Sequence, residues 1–172
     1  MPSYKSTVGP PTDAFRFRGI KLGTELPGPG QGHVYDSSTG TYRLAERPLL
    51  LLFGNTSTSN APATEFLDPG GGGRAATSNE PRLYVGAGTI HKLRVSARIG
   101  PVGGTITVTV RKNGSDQILT ATLAIGGNAI ADLTHSFATI EGDWVSVKAV
   151  SNTGVSAGAV DLYVTAEQLL AA

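Results

Sequence analysis

From residue 90 onward, apolar side chains recur at every second position. Leu93, Val95, Ala97 and Ile99 alternate with Arg94, Ser96 and Arg98. Ile106, Val108 and Val110 alternate with Thr105, Thr107, Thr109 and Arg111, and Val160, Leu162 and Val164 with Asp161, Tyr163 and Thr165. A strand points successive side chains to opposite sides, so period two places one side in a core and the other in solvent. This is the habit of antiparallel sheets. No segment has convincing helical periodicity; the final "TAEQLLAA" is read as one helical turn at most.

The same pattern predicts eight strands, at 49–54, 82–86, 90–99, 105–112, 117–125, 128–136, 143–151 and 159–168. Turn chemistry separates them. "KNGS" at 112–115 is an Asn-Gly hairpin, "IGGNA" at 125–129 a second tight return, and "IEGDW" and "SNTG" bound the seventh strand. The segment "TSTSNAPATEFLDPGGGGRAATSNEP" is read as a long loop. Composition agrees: 23 glycines and 16% charged residues, against roughly 25% in an average domain. The expected fold is all-β: an antiparallel two-sheet jelly-roll sandwich of about eight strands. An immunoglobulin-type sandwich is the alternative, and it loses weight because the chain has no cysteine.

Residues 1–48 read differently, as an extended N-terminal arm ahead of a sandwich domain at 49–172. Pro10-Pro11 and the run "LPGPGQGHVYD" resist regular structure. Two islands interrupt it. "AFRFRGIKL" reads as a short extended segment with one apolar side, and "HVYDSSTGTYRLAE" as a small hairpin. Ordering a residue costs on the order of 1–2 kcal/mol of backbone entropy, which the few apolar residues here cannot recover alone. The arm is therefore expected to gain its shape on a partner. The residues assigned to that contact are Phe15, Arg16, Phe17, Arg18, Tyr35 and Tyr42, with strand addition as the mode.

Residues 82 to 168 also carry a resemblance. "TIHKLRVSARIG", the run from "GTITVTVRKNGSDQILTATL" to "EGDWVSVKAVS", and "AVDLYVTAEQL" are similar to jelly-roll domains of tailed-phage virion proteins. Those share the form L-x-V, T-V-T-V-x-x-N-G, G-D-x-V-S-V, and the layout loosely resembles the tumour-necrosis-factor and C1q superfamily. "VYD-x-x-T-G" at 34–40 resembles an element of phage fibre and decoration proteins. The resemblance implies a homotrimeric, non-enzymatic virion protein and transfers no functional residue. The expected function is capsid decoration (cement) on the outer capsid surface, with the major capsid protein or other virion proteins as partners. The alternative is a tail-fibre or receptor-binding tip that takes a glycan; a hydrolase with an unrecognised site is a third reading.

Other features give no chemistry. Net charge is +1, and the four cations in the first 24 residues, Lys5, Arg16, Arg18 and Lys21, are few for phosphate-driven binding, so no nucleic acid is expected. The longest apolar run, "PLLLLF", is too short to span a bilayer, and the first residues lack a secretory apolar region; no membrane partner is expected. His33, His91 and His135 are dispersed, and no cofactor or metal is expected. "DPGGGGR" lacks the Lys-Ser or Lys-Thr of a phosphate loop and reads as a flexible loop. Asp143 with Glu141 is too little for calcium and reads as a turn aspartate bonding local amides. Trp144, the single tryptophan, is a packing residue or else a platform for a sugar.

Overall fold

The computed structural model describes residues 16–17, 20–21, 31–36, 41–46, 48–55, 63–71, 79–98, 100–101, 103–152 and 161–171. The chain divides into two units, Met1–Arg47 and Pro48–Ala171. Among the described residues every regular element is a strand.

In the first unit, β1 (Arg16–Phe17) pairs with β2 (Ile20–Lys21), in the register Arg16↔Lys21 and Phe17↔Ile20. The "AFRFRGIKL" segment thus turns back on itself instead of running as one extended piece. β3 (Gln31–Asp36) and β4 (Thr41–Glu46) form the expected hairpin, with Tyr35 opposite Tyr42. Pro10-Pro11 and all of "LPGPG" lie outside the described residues.

The second unit holds β5 (Leu49–Asn55), β6 (Ala63–Pro69), β7 (Leu83–Tyr84), β8 (Gly88–Ala97), β9 (Ile106–Lys112), β10 (Ser115–Leu123), β11 (Ala129–Thr139), β12 (Trp144–Ser151) and β13 (Leu162–Leu170). They form one nine-stranded antiparallel sheet in the order β10-β9-β12-β6-β5-β13-β8-β11, with β7 added to β12. All eight strands expected from the pattern are present. Two readings are corrected. Ala63–Pro69 is a strand, not loop, and it lies in the middle of the sheet, between β12 and β5. The C-terminal "TAEQLL" continues β13 instead of curling.

β6 has a divided role. Ala63–Leu67 pair with β12, whereas only Pro69 and Asp68 pair with β5, opposite Phe53 and Gly54. The sheet consequently has five strands on the β6 side of one short junction, counting β7, and four on the β5 side. Its far ends, β10 and β11, are consecutive in the chain but each has only one strand neighbour. They meet through a side chain: the Thr120 amide donates to Asp132 Oδ2 at 3.2 Å, which leaves the sheet nearly closed.

The core is the apolar side that the alternation predicts. Leu93, Val95, Ile106, Val108, Val110, Leu162 and Val164 are each at most 1% exposed. Apolar burial on this scale, roughly 25 cal/mol per Å² removed from water, holds the unit together. Polar residues also enter the interior, including Glu65 on β6 and Gln168 on β13. Gln168 Nε2 donates to the Gly86 carbonyl at 2.7 Å.

Local irregularities follow from residue type. Asn113 and Gly114 both have positive φ, 49° and 80°, so the β9–β10 turn is the primed hairpin favoured by Asn-Gly. Three residues of β11, Leu133 to His135, bulge opposite Lys92 alone, which takes a φ of 54°. β10 bulges similarly between Asp116 and Thr120. Bulges on both end strands twist them away from further pairing, one way in which open sheet edges are protected.

Candidate binding surface

The strand register assigns each outward side chain a neighbour. Outside β9, β10 and β12 the polar neighbours match, although Ile118 on β10 is 58% exposed. Thr107 Oγ1 meets Thr122 Oγ1 at 3.0 Å, and Thr109 Oγ1 meets Thr120 Oγ1 at 3.1 Å. Arg111 reaches Glu80 at 2.6 Å and Asp116 at 2.8 Å, and its guanidinium lies 5.4 Å from the centre of the Phe66 ring. Lys148 also bonds Asp116, and the Ser146 hydroxyl donates to Glu80. The Lys148 hydrogen bond, helped by Arg111 and opposed by burial, holds the Asp116 carboxyl below its ordinary range.

Outside β5, β13, β8 and β11 the register builds two rows across the sheet. One runs Leu52, Thr165, Arg94, Ala131; the other Gly54, Tyr163, Ser96, Ala129. Here side chains are left over. Leu50 is 60% exposed, Leu52 39% and Tyr163 45%. Between β13 and β11 lies an open groove of about 530 Å³, with Arg94 and Ser96 from the middle strand, Tyr163 and Thr165 on one side and Ala129 and Ala131 on the other. Arg94 is exposed and makes no hydrogen bond or ion pair among the described residues. The other lysines and arginines described in this unit each have an acidic or aromatic partner.

Two further polar clusters are closed on themselves. Burial pushes the Asp132 carboxyl up, but hydrogen bonds from the His135 ring and the amides of His135, Thr134 and Thr120 outweigh it and hold the group well below the carboxylate range. Asp132 Oδ2 and the Thr134 hydroxyl both approach the same ring nitrogen, Nδ1 of His135, at 2.8 and 3.4 Å. A hydroxyl–imidazole–carboxylate relay needs the two partners on opposite nitrogens; this arrangement caps the β11 bulge. Asp143 is held low first by the Ile140 amide, then by the Asn113 side chain, with Lys112 adding to them against burial. Its Oδ1 lies 2.6 Å from Asn113 Nδ2 and its Oδ2 2.9 Å from the Ile140 amide, as expected of a turn aspartate. Among the described residues no group of three His, Cys, Asp or Glu side chains is placed to hold a metal.

The arm residues assigned from the sequence are only partly described. Phe15 and Arg18 lie outside the described residues. Arg16 and Phe17 form β1, and Tyr35 and Tyr42 are opposed in the β3–β4 hairpin. Trp144 is half-buried, with the Arg82 guanidinium 4.7 Å over its ring. His91 on β8 lies 3.8 Å from Glu167 on β13. Of "DPGGGGR", Asp68 and Pro69 belong to β6, and the Gly70 amide bonds the Leu52 carbonyl at 2.8 Å. Arg94 and Tyr163 were visible in the sequence only as solvent-side members of their strands. Their meeting across β8 and β13 depends on a register between distant segments. Compared with known proteins, the chain matches no family model, and no curated protein matches it.

Proposed function

We propose that this protein is a non-enzymatic virion assembly protein: a self-associating, trimeric jelly-roll body that decorates a phage capsid, with residues 1–48 docking on capsid subunits. The observation that carries this reading is on β5, where Leu50 and Leu52 are both exposed on the outward side, at 60% and 39%. Clustered exposed apolar side chains mark interaction surfaces. The division of the sheet into five and four strands on the two sides of the short β6–β5 junction supports the two-sheet sandwich. The test has two parts. Light scattering of the purified full chain should give the mass of three chains; a monomer at working concentration overturns self-association. The full chain should co-sediment with capsids stripped of decoration, and a chain lacking residues 1–48 should not.

A second reading, the receptor-binding tip of a tail fibre, is favoured by the Arg94 groove. Copy number on purified virions separates the two. Many copies over the shell favour decoration, and a few at the tail favour the tip.

A further inference from the structure

The Arg94 groove contains parts that the fold leaves unused. A guanidinium presents a rigid, planar set of donors that matches a carboxylate with two parallel bonds. Among the described residues Arg94 has no such partner, although every comparable cation described in the unit has an acid or a ring. Tyr163 stands beside it, nearly half exposed, and offers an aromatic face with a polar tip. Thr165 presents a hydroxyl in the same wall, and Ser96 a second, weakly engaged with the Tyr163 carbonyl at 3.4 Å. Opposite them, Ala129, Ala131 and the 40%-exposed Ile130 between them make an apolar far wall for a ring face. The volume falls within the range of small-molecule sites.

These features select a ligand class. An apolar ligand would leave Arg94 unanswered. A phosphate backbone calls for several cations, whereas the neighbouring Lys92 is engaged by Glu167 at 2.9 Å. One carboxylate, one apolar ring face and several hydroxyls describe an acidic sugar. We infer that the groove binds a carboxylated saccharide, of the uronic or sialic acid type, with Arg94 pairing the carboxylate and Tyr163 stacked on the pyranose ring. The inference rests on the receptor-binding reading for its ligand class and is independent of the decoration reading.

The test is an NMR titration of the ¹⁵N-labelled full chain with a galacturonate oligomer, a glucuronate-containing oligomer and sialyllactose. Each acid is paired with its methyl ester, which keeps the ring and removes the charge. At least one acid should shift the amides of Arg94, Ser96, Ala131 and Tyr163 saturably. Its ester, and the acid with Arg94→Gln, should bind about tenfold more weakly or worse, as loss of a charge-assisted contact implies. Tyr163→Val should weaken binding while Arg94→Gln leaves the melting temperature unchanged. Three results overturn the inference: no saturable shift with any of the acids, equal binding of acid and ester, or undiminished binding by Arg94→Gln. Shifts at these amides that follow protein concentration alone overturn it as well, because they place a second copy in the groove. Binding of a glycan elsewhere on the chain refutes the groove assignment but leaves the receptor-binding reading standing.

Discussion

Arg111 and Arg94 both point outward from mid-sheet strands, yet their surroundings differ. Arg111 is clamped by Glu80, Asp116 and the Gly114 carbonyl and packs over Phe66. Arg94 has none of these, and the side chains across from it are Ala131 and Thr165. The same contrast holds for the surfaces around them. Outside β9, β10 and β12, threonines pair with threonines and acids with bases, and Ile118 is exposed beside them. Outside β5, β13 and β8, leucines, a tyrosine and a cation are exposed, with the Lys92–Glu167 pair at one end. A surface whose polar groups satisfy one another has little to offer a partner. One with unmatched apolar and charged groups keeps its free energy of interaction for binding.

The comparison fails if the two surfaces do not share one core, so the largest expected effect tests that. Val108→Asp puts an unpaired charge on a side chain now 0% exposed. It should destabilise the body by roughly 4 kcal/mol or more, or prevent folding. Thermal melting followed by circular dichroism measures it, and an unchanged melting temperature would mean that the inner and outer sides have been exchanged.

The alternation that located Val108 made most of this sheet legible, but not β6. That strand carries Glu65 inward, where it is 6% exposed, and half-exposed Phe66 outward, so its pattern is inverted, and it ends in Pro69. A buried acid in a central strand contradicts the rule that reveals strands. The end of β13 was obscured in the same way, because fully buried Gln168 occupies a core position. The groove was illegible for another reason. Periodicity tells which residues face outward, but not that Arg94 lies beside Thr165 while Arg111 lies beside Asp116. That is a matter of register.

The next largest effect is expected where the two surfaces meet, at the β10–β11 seam. Asp132→Ala leaves the amides of Thr120, Thr134 and His135 without their acceptor. The cost should be about 3 kcal/mol, because stranded donors are penalised more than paired ones are rewarded. Chemical denaturation measures it; a change within error would mean that the seam does not join the surfaces. The native carboxyls of Asp132 and Asp143 titrate below their unfolded value of 3.8. Their contribution is therefore fully present above that value and is lost as pH falls through the lowered native values. Stability should decline below about pH 4, and Asp132→Asn should flatten that decline.

Arg111→Met tests the self-satisfied surface directly. The substitution keeps much of the aliphatic bulk over Phe66 and removes the ion pairs. Because the site is partly open to water, the loss should be modest, about 1–2 kcal/mol. A neutral result would show the Thr-and-charge lattice to be a decoration of the surface, with no part in holding it.

The smallest effect is the most diagnostic. Arg94→Gln removes the same charge from the opposite surface, where no partner waits for it among the described residues. Its stability should stay within about 0.5 kcal/mol of the parent, as for surface positions free of specific contacts. Measured in one buffer by the same denaturation curve, Arg111→Met and Arg94→Gln become a matched pair: one arginine serves the fold and the other does not. If Arg94→Gln costs as much as Arg111→Met, Arg94 has a structural partner after all, the two surfaces are alike, and the groove loses the free cation on which its ligand chemistry depends.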